Sequence, residues 1–174
     1  MNAGSASVHA SAVLVGNRAV LIRGPSGAGK SRLAFDLILA GRAGQIPPAV
    51  LIGDDRVHLD AGEGPLVVRP ARELAGLIEI RGLGIRRCGF ANEAVVGLVV
   101  DLSAADAVRL PPPEALLVNI CGVRIPRIPV GTGYTALPLV VAALTMTESS
   151  ASPQSSADCS KQFGNHISPT IATE

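Results

Sequence analysis

The chain has 174 residues, of which 48% are hydrophobic, and this is the size of a single domain with an ample apolar core. Only 2% of the residues are aromatic, so that core must consist mainly of Val, Leu, Ile and Ala. With 15 basic and 14 acidic side chains the net charge is +1, which argues against the basic surface of a typical nucleic-acid-binding protein.

The sequence contains no segment expected to cross a membrane. Its longest apolar runs, 95–100 and 137–144, are far shorter than the ~20 residues that a membrane-spanning helix requires. Residues 1–13 lack the charged start and the apolar middle of a secretory signal. The sequence therefore predicts a soluble cytoplasmic protein without a membrane or nucleic-acid partner.

Cysteine and lysine are both scarce. The three cysteines, Cys88, Cys121 and Cys159, are odd in number and widely separated, which predicts free thiols rather than disulfides or a zinc site. Thirteen of the basic residues are arginine, and only Lys30 and Lys161 are lysine. A chain that uses arginine almost everywhere but keeps Lys30 has a specific need for lysine at that position.

The first half of the chain alternates strand and helix. Residues 18–23, RAVLIR, form a short apolar run that predicts a buried strand ending before Pro25 and several glycines. From Ser31 onward apolar residues recur at i and i+4, which predicts a helix closed by Gly41 at its C-terminal cap. A second strand is predicted at residues 50–52, directly before two aspartates.

The second half is predicted to contain several strands followed by a helix at residues 137–144. From residue 147 the chain is rich in Ser, Thr and Pro without periodicity, which predicts a disordered tail at 147–174. We therefore predict one α/β domain at residues 1–146, with a central, largely β sheet and flanking helices. The strands predicted in this half are 66–69, 77–81, 94–102 and 116–123, the last continuing past Pro126.

The segment GPSGAGKS is a complete phosphate-binding loop of the G-x-x-x-x-G-K-S type, which predicts a P-loop nucleotide-binding fold. Its glycines let successive backbone N–H groups point at a polyphosphate, and the following helix directs its positive N-terminus at the same anion. Lys30 is then expected to reach the β and γ phosphates of ATP, and the Ser31 hydroxyl to bind Mg²⁺. The alternative is a chance match among 19 glycines, but the strand before the loop and the helix after it argue against that. The predicted nucleotide-binding residues are Gly24, Pro25, Ser26, Gly27, Ala28, Gly29, Lys30 and Ser31.

Two adjacent aspartates, Asp54 and Asp55, follow the predicted strand 50–52. In phosphate-loop enzymes one acid at a strand end orders Mg²⁺ and a neighbouring group positions the nucleophile, so we assign Asp54 to Mg²⁺ and Asp55 to the base. Neighbouring strand residues point to opposite faces, so both aspartates serve one site only if the backbone turns there. We expect Asp55 to be partly buried beside Asp54. The alternative is a structural acid pair capped by Arg56.

The segments GPSGAGKS, LIGDDRV and, at residues 77–85, LIEIRGLGI together resemble the bacterial HPr kinase/phosphorylase family in its catalytic C-terminal domain. Phosphate loops occur in many families, so LIEIRGLGI is the discriminating segment. The resemblance covers residues 8–145 and is strongest before residue 86. It implies an enzyme that uses ATP and Mg²⁺ to phosphorylate a serine of HPr, the small carrier protein of the sugar phosphotransferase system. It also implies removal of that phosphate with inorganic phosphate, and a homo-oligomer, the hexamer of the family.

The resemblance implies roles for individual residues. Asp55 is expected to accept a proton in phosphorylation and to return it in dephosphorylation, with His9 and Lys30 as active-site partners. By the same resemblance His9 lies on the strand before the phosphate loop. Taken alone, His9 is equally well a surface histidine or a core histidine with satisfied hydrogen bonds.

Glu79 is the other acid that the resemblance singles out. With Ser31 it is expected to hold Mg²⁺. Independently of the family, Glu79 is a charge in an otherwise apolar predicted strand, which indicates either a ligand or pairing with Arg81.

The chain departs from the family pattern at several points. The usual N-terminal domain is missing, so the chain resembles a short form of the enzyme. After Ile85 it continues RRCGF, away from the family's more apolar continuation. The arginine of the family's mobile loop has its best match in Arg109, in a shortened loop. Residues 126–133, PRIPVGTG, lack the arginine that usually follows the glycine in a segment needed for dephosphorylation.

Three other functions also use a phosphate loop. A small-molecule kinase would need an arginine-rich lid, and only the pair Arg86 and Arg87 resembles one. A regulatory module that senses ATP without turning it over would not need Asp55 beside a complete loop. A transport-type ATPase would carry a second signature such as LSGGQ, which the sequence lacks.

Overall fold

The structure, a computed structural model, describes residues 6–146. Within that range eleven strands and two α-helices are joined by turns that include 3-10 segments at Arg72–Leu74 and Pro113–Leu116. The predicted tail at 147–174 lies outside the described residues. The helices are α1 (Lys30–Arg42) and α2 (Ala136–Thr145). The strands are β1 (Ala6–Val8), β2 (Ser11–Val15), β3 (Arg18–Arg23), β4 (Ala49–Gly53), β5 (Val57–Asp60), β6 (Val67–Pro70), β7 (Leu77–Ile80), β8 (Gly84–Arg87), β9 (Ala94–Leu102), β10 (Leu117–Ile120) and β11 (Val123–Val130).

Nine of these strands form one mixed sheet in the order β1-β5-β6-β9-β3-β2-β4, with β11 beside β9 and β10 beside β11. The strand that leads into the phosphate loop, β3, lies parallel to β9 and antiparallel to β2. Since β11 also runs parallel to β9, the C-terminal ends of β3, β9 and β11 lie at one edge of the sheet. Strands β7 and β8 form a separate hairpin.

The core consists of two clusters, one on each face of the sheet. In β3, Val20 and Ile22 belong to the cluster that contains residues of both helices. Ala19 and Leu21 belong to the second cluster, whose described members include no helix residue. This alternation follows from the two-residue period of a strand, and it places both helices on one face. The predicted α/β fold with a largely β sheet is confirmed. Neither helix of the described residues is long and apolar enough to cross a membrane.

Helix α1 ends later than predicted. It continues through Arg42 with Ala43 at the C-cap, so the prediction of Gly41 as the cap is wrong. A Cβ atom at Gly41 would lie 2.7 Å from the backbone nitrogen of Ala49 and 2.8 Å from its Cβ. Glycine at position 41 therefore allows the helix to approach the first residue of β4 closely.

The single strand predicted at residues 116–123 is also wrong. The chain instead forms the antiparallel hairpin of β10 and β11, whose strands are joined by Cys121 and Gly122. Both of these residues have positive φ, 51° and 83°, as two-residue hairpin turns require. The pattern was missed because the first turn position is Cys rather than the Asn or Asp that usually marks this turn.

The cysteines of the described residues are free, as predicted. Cys121 is exposed and Cys88 is partly buried. Burial raises the pKa of the Cys88 thiol, and the nearby Arg42 opposes that increase. Cys159 lies outside the described residues.

Candidate active site at the phosphate loop

The phosphate loop connects β3 to α1 in the order that the motif predicts. Gly24 has φ 148°, and a Cβ atom there would lie 2.9 Å from the carbonyl oxygen of Leu102 on β9. Gly29 forms the N-cap of α1 with φ 96°, a backbone conformation that other residues rarely adopt. Larger residues at these two positions would strain the backbone or clash with β9, so the glycines fix the shape of the loop.

Lys30 is held inside this loop. Its side chain is buried, and its Nζ donates hydrogen bonds of 3.0 Å to the carbonyl oxygens of Gly24 and Pro25. A buried ammonium needs such partners, because an unpaired charge is costly to remove from water. The charge thus lies where the N-terminus of α1 and the loop amides converge.

A pocket of about 700 Å³ opens at the phosphate loop and collects most of the predicted site residues. His9, Lys30, Ser31, Asp55 and Glu79 all line it, although they come from four separate parts of the chain. The other lining residues are Ser26, Gly27, Gly29, Arg32, Phe35, Asp36, Ile80 and Arg81. The lining does not include Asp54 or Arg109.

The two aspartates lie in different environments because the backbone turns sharply after β4. The N–H of Arg56 donates to the carbonyl oxygen of Asp54 at 2.8 Å, which closes a three-residue turn centred on Asp55. Asp55 has φ 66° in this turn. The positive-φ form of such a turn is rare and strained, at a cost of ~1–3 kcal/mol per strained residue. Strain of this kind clusters at functional sites, so the turn itself marks Asp55 as a functional candidate.

Asp54 is the buried member of the pair, with 3% of its surface exposed. Its Oδ1 accepts a hydrogen bond of 2.5 Å from the Ser11 hydroxyl, and its Oδ2 accepts one of 3.1 Å from the backbone N–H of Glu79. Asp54 therefore fixes β2 and β7 relative to the turn. The role of Asp54 as a Mg²⁺ ligand stays a prediction, and both of its oxygens already have hydrogen-bond donors.

Asp55 is exposed rather than partly buried, so that expectation is wrong. Its side chain is 68% exposed, and its Oδ1 lies 3.1 Å from Nε2 of His9, which is 51% exposed. His9 lies at the bend between β1 and β2, so its expected place on a strand is wrong. The chain bends there because β1 pairs with β5, whereas β2 pairs with β3 and β4. Among the described residues the Arg56 side chain forms no ion pair, so the capped-pair alternative is not what the structure contains.

Ser31 and Glu79 place a hydroxyl and a carboxylate on the walls of the pocket, and their role as Mg²⁺ ligands stays a prediction. Among residues 6–146 the Glu79 carboxylate has neither a hydrogen-bond donor nor an ion-pair partner, so the alternative of pairing with Arg81 is not found. The same residues contain no group of three or more His, Cys, Asp or Glu side chains that could hold a metal. Mg²⁺ typically uses one or two carboxylates, substrate phosphates and waters, and a hydroxyl with one free carboxylate fits that pattern.

Arg32 and Asp36 line the pocket but escaped the sequence reasoning, while Arg109 is not brought to it. Arg109 lies exposed in the segment between β9 and β10, and its catalytic role stays a prediction. Arg32 and Asp36 form an i,i+4 pair at 3.1 Å on the exposed side of α1. Arg81, the residue considered above as a partner of Glu79, directly follows the last residue of β7 and also lines the pocket. The sequence did contain a signal for Arg32 and Asp36. They follow Lys30 by two and six positions, so they lie in the first two turns of a helix that starts at the phosphate site.

A charged network supports the phosphate loop from the sheet side. Arg23, the last residue before the loop, donates two hydrogen bonds of 2.7 Å to Asp101 at the end of β9. Arg127 donates to Asp101 at 2.6 Å and to Asp106 at 2.6 Å and 2.9 Å. Burial tends to raise the pKa of Asp101, but the hydrogen bonds and charges of Arg23 and Arg127 outweigh it and lower that pKa.

This network predicts a pH-dependent contribution to stability. Because the folded pKa of Asp101 lies below its ordinary value of 3.8, the ionised carboxylate stabilises the fold above that pH and stops doing so as the pH falls through the folded pKa. We expect Asp101→Asn to lower the free energy of unfolding at pH 7 by about 2 kcal/mol, since Arg23 loses its carboxylate partner and Arg127 keeps only Asp106. The difference between wild type and variant should shrink below about pH 4.

Urea unfolding of both proteins between pH 7 and pH 3 measures this contribution. Asp60→Asn is the matched control, because Asp60 pairs with Arg69 at 3.5 Å and both side chains are at least 40% exposed. An exposed pair of this kind contributes at most ~1 kcal/mol. Equal effects of the two substitutions at pH 7 would contradict the assignment of a supporting role to Asp101.

Comparison with known proteins identifies a family for the chain. A family model described as HPr Serine kinase C-terminal domain matches residues 2–164. An HPr kinase/phosphorylase of Enterococcus faecalis is 40% identical over 153 residues, which are 79% of this chain and 47% of that protein. An HPr kinase/phosphorylase of Mycoplasma mycoides is 38% identical over 105 residues, which are 56% of this chain and 31% of that protein. The chain spans less than half of the length of either relative.

A solved structure shares the fold. The Hpr(Ser) kinase/phosphatase from Coxiella burnetii superposes with a TM-score of 0.62, covering 79% of this chain and 87% of that one. Its sequence identity to this chain is 24%, so this comparison bears on the fold alone. It confirms the predicted α/β fold.

Proposed function

Because the chain belongs to the HPr serine kinase C-terminal domain family, we propose that it is an ATP- and Mg²⁺-dependent protein kinase of the cytoplasm. Its substrate is a serine hydroxyl of an HPr-like phosphocarrier protein. The observation that carries this proposal is that Asp55 lines the same pocket as Lys30 and Ser31 of the phosphate loop. A carboxylate with 68% exposure at the pocket mouth is accessible to a hydroxyl that arrives on another protein.

The residues of the pocket divide the work of phosphoryl transfer. Asp55 accepts the proton of the serine hydroxyl as the serine oxygen bonds to the γ phosphorus, and the bond from that phosphorus to the leaving oxygen of ADP breaks. Lys30 and the amides of the phosphate loop hold the phosphates and balance their charge. His9, 3.1 Å from Asp55, orients the carboxylate toward the incoming hydroxyl.

Ser31 and Glu79 are the residues that we propose to hold Mg²⁺. When bound, the ion neutralises phosphate charge and orients the phosphates for in-line transfer. Asp54 acts on this ligand pair indirectly, since its Oδ2 accepts the backbone N–H of Glu79 and so fixes the position of that residue. We therefore assign Asp54 a positioning role beside its predicted role as a ligand.

Phosphate transfer to HPr tests the proposal directly. The chain is incubated with ATP, Mg²⁺ and HPr of Enterococcus faecalis, and mass spectrometry locates the added phosphate. We expect one phosphate on one serine, and none on HPr in which that serine is replaced by alanine. A parallel panel of sugars and small metabolites addresses the small-molecule kinase. Phosphorylation within that panel and not of HPr would overturn the proposed substrate.

A further inference from the structure

The hairpin of β7 and β8 forms one wall of the active-site pocket and extends beyond it. Glu79, Ile80 and Arg81 line the pocket. The remaining part of the hairpin is largely uncovered, with Leu83 61% exposed and Ile85 66% exposed. These two apolar side chains lie within three residues of each other beside a pocket of about 700 Å³, so they offer apolar contact area to a molecule that reaches over the pocket.

The register of the hairpin determines which side chains share a face with Glu79. Residues directly opposite each other on antiparallel strands point to the same face. Glu79 lies opposite Ile85, and Leu77 lies opposite Arg87, so Ile85 and Arg87 share the face of Glu79. Arg86 lies opposite the buried Ile78 and therefore belongs to the other face.

The charge of this segment differs from that of the whole chain. Residues 77–90 contain three arginines and one acid, whereas the chain as a whole carries +1. Among residues 6–146 no carboxylate forms an ion pair with Arg81, Arg86 or Arg87. The hairpin segment therefore carries an excess of positive charge beside the pocket, and Arg81 brings part of that charge to the pocket lining.

We propose that Arg81, Ile85 and Arg87 form a docking face for the protein that carries the acceptor serine, and that this partner presents acidic side chains around an apolar contact. The inference rests on the proposed function. A serine hydroxyl that reaches Asp55 brings its protein over the rim of the pocket, and the hairpin is part of that rim. Complementary charges at such a rim increase the association rate and fix the register of the partner, while Ile85 supplies apolar contact area.

Two forms of one acceptor test the docking face. HPr of Enterococcus faecalis is prepared with either Glu or Lys at the same two exposed positions beside its acceptor serine. Wild type should phosphorylate the Glu form with about tenfold higher kcat/KM, the effect of ~1.4 kcal/mol of charge complementarity. Arg87→Glu should abolish or reverse this preference. Arg86→Glu makes the same charge change on the neighbouring residue of the opposite face and should retain it.

The ratio between the two acceptors cancels any general effect of a substitution on folding or on ATP binding. Equal kcat/KM for the two forms in wild type, or equal loss of preference in Arg86→Glu and Arg87→Glu, would overturn the docking face and leave the proposed function intact. If neither HPr form accepts phosphate, the proposed function fails. In that case calorimetry measures the binding of both HPr forms to wild type, Arg86→Glu and Arg87→Glu. We expect wild type and Arg86→Glu to bind the Glu form more tightly and Arg87→Glu not to do so. Absence of this order would count against the docking face.

Discussion

The substitution Asp55→Asn is expected to abolish phosphate transfer while leaving ATP binding unchanged. An amide cannot accept the serine proton, and a positioned base contributes ~10²–10⁴-fold to such a transfer. Asn suits this test because it tolerates positive φ at least as well as Asp, so the turn with φ 66° should survive the change. Alanine would confound loss of the carboxylate with strain in the turn. Single-turnover transfer and equilibrium titration with ATP·Mg²⁺ separate the two effects.

Asp36→Asn is the matched control for this experiment. Asp36 is a second carboxylate of the same pocket, and it pairs with Arg32 on the surface of α1. Its loss should change the rate of transfer less than tenfold, because it is engaged with another side chain and lies outside the turn of Asp55. Undiminished transfer by Asp55→Asn, or an equal loss in Asp36→Asn, would reject Asp55 as the base.

The phosphate loop is the part of the site that the sequence predicts best. Its function depends on backbone amides, glycine conformations and a lysine at fixed spacing, all within eight consecutive residues. The spacing of residues within this short segment is therefore enough to predict the loop. The same reasoning explains why the strands at 18–23 and 94–102 are predicted at their observed bounds, since apolar residues dominate each segment.

The different environments of Asp54 and Asp55 depend on contacts that are distant in the sequence. Asp54 accepts hydrogen bonds from Ser11, which is 43 residues away, and from the backbone of Glu79, which is 25 residues away. No pattern near residue 54 specifies those partners. The sequence predicts that the backbone turns after the strand, but only the folded chain shows which acid faces inward.

The hairpins show where local signals were available and where they were not. The strand β2 was missed although Gly16 and Asn17 between two apolar runs are a recognised two-residue turn signal. The turn at Cys121 and Gly122 lacks the usual Asn, and Asn119 instead stabilises it by accepting the N–H of Gly122 at 2.9 Å. Predicting that turn requires knowledge of its flanking side chains as well as of its central residues.

Loss of the ammonium in Lys30→Ala is expected to weaken ATP binding about 100-fold, in contrast to the unchanged affinity of Asp55→Asn. Hydrogen bonds to charged groups contribute ~1.5–3 kcal/mol each, and 100-fold corresponds to ~2.7 kcal/mol. In the free protein Nζ contacts only the carbonyl oxygens of Gly24 and Pro25 within the described residues, so it is available to turn toward phosphates. Titration of each variant with ATP·Mg²⁺ measures the effect.

Two further variants separate charge from shape at this position. Lys30→Arg keeps the charge, but a planar guanidinium does not match the compact ammonium between two carbonyl oxygens, so affinity should remain well below that of wild type. Arg42→Ala removes a positive charge from the last residue of the same helix, ~18 Å from Lys30 at 1.5 Å per residue, and should leave affinity within about twofold. If Lys30→Arg bound ATP as tightly as wild type, net charge alone would account for binding. The geometry of the loop would then not explain why position 30 is lysine rather than arginine.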